Sequence, residues 1–165
     1  QRLKFLQNAI GAVPSPFDCY LTLRGIRTLP LRMEQHSKNA VAVARLLQNS
    51  RKVRAVYYPF LRSAPYYRQA KRQMRMGGGM LSFRLRRGFR SAQKFLRALS
   101  VFSVAESLGG VESLADHPAR MTHASLPDEE RTALGITDDL IRLSVGIEDK
   151  ADLIEDIRNA LAAVS

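Results

Sequence analysis

Apolar and polar positions alternate with a helical period over the first fifty residues. Leu3, Leu6 and Ile10 share one side of a short helix, and Gly11 to Pro16 breaks it. Ser15-Pro16 then supplies a cap and a first-turn proline, and Asp18 adds a negative charge where the helix dipole favours one. This second helical pattern is expected to kink around Gly25 and Pro30 and to run to about Asn49. Leu31, Val41, Ala44 and Leu47 form its apolar side. Val53 to Tyr58 has the β-branched and aromatic content of a strand, ended by Pro59, and Pro65 opens a short basic helix. Met80-Leu81-Ser82-Phe83-Arg84-Leu85-Arg86 alternates with period two, which predicts a strand with one buried face. Beyond it come an amphipathic helix over Arg90 to Leu99, a short strand over Val101 to Val104 and a fourth strand over Leu140 to Val145. A final helix from about Ala151 to Ala162 places Leu153, Ile157 and Leu161 on one face. Strands alternating with helices predict an α/β fold, an α+β sandwich in which helices cover a sheet.

Composition narrows the class. With 165 residues, 45% of them hydrophobic, the chain can bury about 70% of its unfolded surface in a single core. A lone cysteine, Cys19, excludes an internal disulfide or a cysteine-based metal cluster. No apolar run approaches the roughly 18 residues of a membrane span, and the N-terminus lacks a signal-peptide layout, so a cytoplasmic origin is expected. The net charge of +11 is unevenly placed: residues 1–105 carry +19 and residues 106–165 carry −8. Arginines and lysines from Arg51 to Arg90, with Tyr57, Tyr58, Tyr66 and Tyr67 among them, could collect phosphates and stack on bases. They are spread over several elements with no binding module to frame them, which favours a solvated or subunit-facing surface over nucleic-acid recognition. Gly77-Gly78-Gly79 suits a turn; the Lys-Ser/Thr that would make it a P-loop does not follow. Among His36, His117 and His123 there is no helical pairing of the kind zinc uses.

Candidate chemistry lies in the last third. Arg142 interrupts the apolar run Leu140, Ile141, Leu143, Val145, where a guanidinium needs an anion. Its planar fork can hold a carboxylate by two parallel hydrogen bonds. Ser107 and Thr122 are short donors on turn-like segments, and Gly109-Gly110 lets backbone approach a ligand closely. Together they suit the α-carboxylate of an amino acid. An internal acid such as Glu112 or Asp116 would satisfy Arg142 equally well.

Several separated words, in order, resemble one family. They are Gly11-Ala12-Val13-Pro14-Ser15-Pro16-Phe17-Asp18-Cys19-Tyr20, Arg24-Gly25-Ile26-Arg27-Thr28-Leu29, Ala105-Glu106-Ser107-Leu108-Gly109-Gly110-Val111-Glu112-Ser113, Met121-Thr122-His123-Ala124-Ser125 and Ile141-Arg142-Leu143-Ser144-Val145-Gly146-Ile147-Glu148-Asp149. The chain resembles, over nearly its whole length, the C-terminal part of the cystathionine γ-lyase and γ-synthase family of pyridoxal-phosphate enzymes. The resemblance implies the C-terminal domain of a fold-type I enzyme with a mainly antiparallel sheet. It assigns residues 1–15 to the end of a large cofactor-binding domain, 16–50 to a long kinked interdomain helix and 51–165 to the substrate-binding domain. Arg142 resembles the family's grip on the substrate α-carboxylate, and Ser107 the serine beside the cofactor-bearing lysine, a catalytic position. Thr122 resembles a pocket-lining threonine. Glu106 stands where enzymes acting on cystathionine carry a carboxylate, which could attract the distal ammonium.

The same resemblance implies pyridoxal 5'-phosphate as cofactor, bound mainly by an N-terminal domain outside this chain. Lys4, Lys38, Lys52, Lys71, Lys94 and Lys150 all lack the Ser-x-Thr-Lys setting of the family's cofactor lysine. A fragment without that lysine is expected to be inactive alone. The implied activity of the whole enzyme is cleavage of the Cγ–S bond of cystathionine to cysteine, 2-oxobutyrate and ammonia in transsulfuration. Cystathionine γ-synthase chemistry, a γ-replacement, is the alternative, and a stand-alone basic interaction domain is the reading from another class. Expected partners are the amino-acid substrate, the chain's own N-terminal domain and further copies in a homotetramer, with no membrane.

Overall fold

Pro30 sets where the long helical stretch divides. In the computed structural model, which describes residues 1–164, α2 (Pro16–Ile26) and α3 (Leu29–Gln48) are separate helices parted at Arg27-Thr28. The proline ring would clash with the carbonyl four residues back and offers it no N–H, so the residue fits only in the first turn of a new helix. The kink expected around Gly25 and Pro30 falls where α2 gives way to α3, with Arg27 still in helical backbone. The chain falls into two compact units, Gln1–Leu31 and Arg32–Ser165.

In the first unit, α1 (Arg2–Ile10) ends at Gly11, whose left-handed backbone (φ 65°) donates to Asn8 O while Ala12 donates to Gln7 O. A capping box opens α2: Ser15 Oγ accepts from the Asp18 amide, and the Asp18 carboxylate accepts from the Ser15 amide and hydroxyl.

The second unit is built on a five-stranded sheet. Its strands are β1 (Val53–Tyr57), β2 (Met80–Leu85), β3 (Ser103–Val104), β4 (Leu114–Asp116) and β5 (Leu140–Ser144), in the spatial order β1-β2-β5-β4-β3. All neighbours run antiparallel except β3 and β4. One side of the central strands carries Leu81, Phe83, Leu85, Ile141, Leu143 and Val145 into the core. There they meet Val43 and Leu47 of α3, Phe95 of α5 (Gly88–Arg97), and Leu153 and Ile157 of α7 (Lys150–Ala163). Phe83 and Phe95 pack edge to face, 5.2 Å between centroids. Because side chains alternate, Ser82, Arg84, Arg142 and Asp116 fall on the other side of the sheet.

Two elements escape a reading of periodicity. β4 has only three residues, all buried, between a glycine-rich loop and Pro118, too short to show an alternation. The helix α6 (Asp128–Ala133) follows Pro127 with Asp128, Glu129 and Glu130 in its first turn, the acidic signature of a helix start. A further short helix, α4 (Tyr67–Gln73), begins two residues after Pro65. The glycine run before β2 is a packing device. Gly77 lies against the buried Tyr58 ring, where a Cβ would strike the phenol, and Tyr58 OH donates to Gly78 O (3.0 Å). Burial pushes that phenol up to about 12. Gly78, at φ 74°, donates its amide to Ser37 Oγ.

Candidate functional site

Three strands place one row of polar side chains across the side of the sheet opposite the core. Register pairs Ser82 of β2 with Arg142 of β5, and Arg142 with Asp116 of β4. Arg142 donates from Nε to Asp116 Oδ2 (2.6 Å), and its Nη2 forms an ion pair with the same oxygen (2.5 Å). Of the two internal acids open to Arg142 from sequence, Asp116 is the partner, while Glu112 is exposed. The pair is unequal in burial: the Asp116 side chain is 2% exposed and that of Arg142 23%. A guanidinium has five N–H donors. Nε and Nη2 face Asp116, so the pair does not exhaust the carboxylate-binding capacity read from the sequence.

Asp116 is held against its own solvation. Burial pushes its carboxyl above the ordinary 3.8, outweighing the Arg142 guanidinium that draws it down. The negative charge of Glu106 adds to the rise, and His117 opposes it weakly. Oδ1 of Asp116 is buried without a hydrogen-bond partner. Glu106 itself is exposed.

The loop carrying Glu106 and Ser107 is fastened to β5. Gly109, at φ 78°, donates its amide to Ser144 Oγ (2.8 Å), two residues along the strand from Arg142. The positive φ is a conformation that suits glycine alone at little cost. At the far end of the loop, the Glu148 carboxylate accepts from the Ser113 amide (2.5 Å) and hydroxyl (2.8 Å), and Ser113 Oγ accepts from Gly146 N (2.8 Å). Asn39 of α3 donates to the carbonyls of Gly146 and Glu148. Ser144, Ser113 and Glu148 are thus supporting groups that the sequence words contain but do not distinguish from their neighbours. Ser107 itself is exposed in this loop.

Thr122 is half-buried in the turn after Pro118–Arg120, and its hydroxyl meets His123 Nδ1 at 2.8 Å. Among the described residues, no hydrogen bond joins Thr122 to Arg142 or Asp116. Arg142 is thus bonded to Asp116, which feels the charge of Glu106, and the Thr122 hydroxyl is bonded to His123. Arg84, on the same side of the sheet, is engaged by Asp139 (3.0 and 3.1 Å).

Part of the basic surface has structural employment. Lys52 Nζ donates to Leu161 O (2.8 Å) and Ala162 O (3.3 Å), carbonyls of the last turn of α7. Arg86 Nε donates to Arg51 O (2.9 Å), and Lys71 lies over the Phe60 ring at 4.7 Å. Among the described residues no group of three or more histidine, cysteine or acidic side chains could hold a metal ion, and no helix is long and apolar enough to cross a membrane.

The sequence profile of the Cys/Met metabolism PLP-dependent enzymes matches residues 1–162. This chain belongs to that family. It is 55% identical over 163 residues to cystathionine gamma-lyase of Rattus norvegicus, covering 99% of this chain and 41% of that protein. It is 53% identical over 161 residues to cystathionine beta-lyase of Coxiella burnetii, covering 98% and 42%. Among solved structures, cystathionine gamma synthase from Xanthomonas oryzae pv. oryzae, in complex with cystathionine, superposes with a TM-score of 0.90 at 48% identity. That match covers 95% of this chain and 41% of the synthase. The fold is accordingly of the fold-type I PLP-dependent class, and the chain spans about 41% of the length of the relatives it matches.

Proposed function

We propose that this chain is the substrate-binding C-terminal part of a PLP-dependent cystathionine γ-lyase, which cleaves the Cγ–S bond of cystathionine to cysteine, 2-oxobutyrate and ammonia. The observation that carries the reading is Arg142: one edge held by a buried acid, with the side chain still partly exposed. In this arrangement Arg142 grips the substrate α-carboxylate. Ser107 lies beside the lysine that carries the cofactor, Thr122 lines the pocket, and Glu106 attracts the distal ammonium of cystathionine. Residues 1–15 end the cofactor-binding domain, 16–50 connect it, and 51–165 form the substrate domain. The pyridoxal ring, when bound, supplies an electron sink; the residues of this chain orient the substrate against it. Alone the chain is inactive, and as part of the whole protein it works in a cytoplasmic homotetramer. A γ-replacement activity is the second reading, favoured by the 0.90 TM-score to the synthase.

The test compares this chain with the full-length protein, each supplied with pyridoxal phosphate and cystathionine. Cysteine and 2-oxobutyrate appear only with the full-length protein, together with the visible absorbance of the bound cofactor. Cystathionine formed from an activated homoserine and cysteine at a higher rate would select the synthase reading. Absence of a cofactor band in the longer protein would sink both. Substrate choice is probed by Glu106→Val, which removes a carboxylate close enough to act on Asp116. The kcat/KM ratio shifts from cystathionine towards methionine-like substrates lacking the distal charge. An unchanged ratio takes Glu106 out of substrate choice.

A further inference from the structure

Arg142 is not presented to a ligand as a free side chain. Its Nε and Nη2 both converge on a single oxygen of Asp116, and the two residues are paired directly across β4 and β5. A guanidinium pinned along that edge cannot rotate about its last bonds without giving up both interactions, so its plane is fixed. Its remaining donors then point from the Nη end, the geometry that meets a carboxylate end-on. The acid that does this is poorly placed for stability. It is almost fully buried, its Oδ1 has no partner, and Glu106 adds a like charge nearby. A buried charge with an unmet acceptor is costly, and an apolar residue would serve folding alone at least as well.

We propose that Asp116 is the positioning residue for Arg142: it locks the guanidinium plane so that only the outward end is offered to the substrate carboxylate. This deepens the carboxylate-grip reading above and rests on it. Asp116 touches neither substrate nor cofactor and acts through Arg142 alone.

The experiment uses the full-length enzyme with cystathionine and compares Arg142→Ala, Asp116→Ala, Asp116→Asn and the double variant Asp116→Ala/Arg142→Ala. Asp116→Ala raises KM on the order of 10- to 100-fold, the usual consequence of a reactant-holding group losing its support. Its loss divides between KM and kcat as that of Arg142→Ala does. Asp116→Asn, which keeps an acceptor oxygen in the same shape, loses less. The double variant is no worse than Arg142→Ala, because nothing remains for Asp116 to position. The visible cofactor band is unmoved throughout. Where Asp116→Ala fails to accumulate as folded enzyme, Asp116→Asn and its double with Arg142→Ala carry the same comparison. A KM for both Asp116 variants within twofold of wild type overturns the proposal, as does a double variant whose loss is the product of the two singles. Arg142→Ala with unchanged kinetics removes the carboxylate grip itself. An impaired Arg142→Ala beside a neutral Asp116→Ala removes the positioning role alone.

Discussion

Asp156→Ala lowers the folding stability of this chain by about 2–4 kcal/mol, with a matching fall in the urea midpoint and no change in the slope of the transition. Asp156 sits on α7, 4% exposed, and its carboxylate accepts three consecutive backbone amides: Ser100 (2.7 Å), Val101 (3.0 Å) and Phe102 (3.0 Å). These bonds hold the turn between α5 and β3 and seat Phe102, itself 2% exposed, in the core. Hydrogen bonds to a charged acceptor are worth more than neutral ones, and their loss strands amides that helix and sheet do not satisfy. The Ser100 amide belongs to an exposed residue and can turn to water; the Val101 and Phe102 amides are more enclosed. A total stability of about 5–15 kcal/mol is ordinary for a domain, so the loss is a large share. Equilibrium unfolding of wild type, Asp156→Ala and Asp156→Asn checks it. The asparagine is intermediate, since its oxygen can keep one or two of the donors. A loss below about 0.5 kcal/mol, the range of an ordinary surface substitution, would show that water replaces the carboxylate.

Arg142→Ala in the full-length enzyme lowers kcat/KM for cystathionine about 10- to 150-fold, equivalent to a charge-assisted contact of about 1.5–3 kcal/mol. The variant removes the cation proposed to meet the substrate carboxylate and leaves Asp116 buried without its guanidinium. Arg142→Lys separates charge from geometry. Lysine restores the charge but has no fork with which to hold Asp116 on one edge and a carboxylate on the other, so it recovers only part of the loss. Steady-state kinetics on the three proteins, with circular dichroism to confirm the fold, decide the matter. Unchanged kinetics in Arg142→Ala would take the residue out of the site.

Both predictions rest on groups whose importance the sequence shows unequally. Arg142 stands out because it breaks an apolar run, a local signal that survives without structure. Asp156 gives no such sign. It lies in α7 among other acids, and its partners are backbone amides 54–56 residues away that carry no side-chain label. Asp116 is intermediate: one of two acids open to Arg142 from sequence, selected once β4 is seen to run beside β5.

The sequence by itself determined what depends on near neighbours. The cap at Ser15 and Asp18, the end of α1 at Gly11, the alternation over Met80–Leu85 and the apolar stripe of α7 are local, because capping and periodicity act within a few residues. Ordered words spread along the whole chain determined the family as well. Tertiary structure alone decided the rest. It found a strand too short to show its period and chose Asp116 over Glu112 for Arg142. It also put the Glu106 loop within electrostatic reach of that pair. Each of these turns on strand register or on burial, and both are set by distant parts of the chain packing together, so no local pattern can encode them.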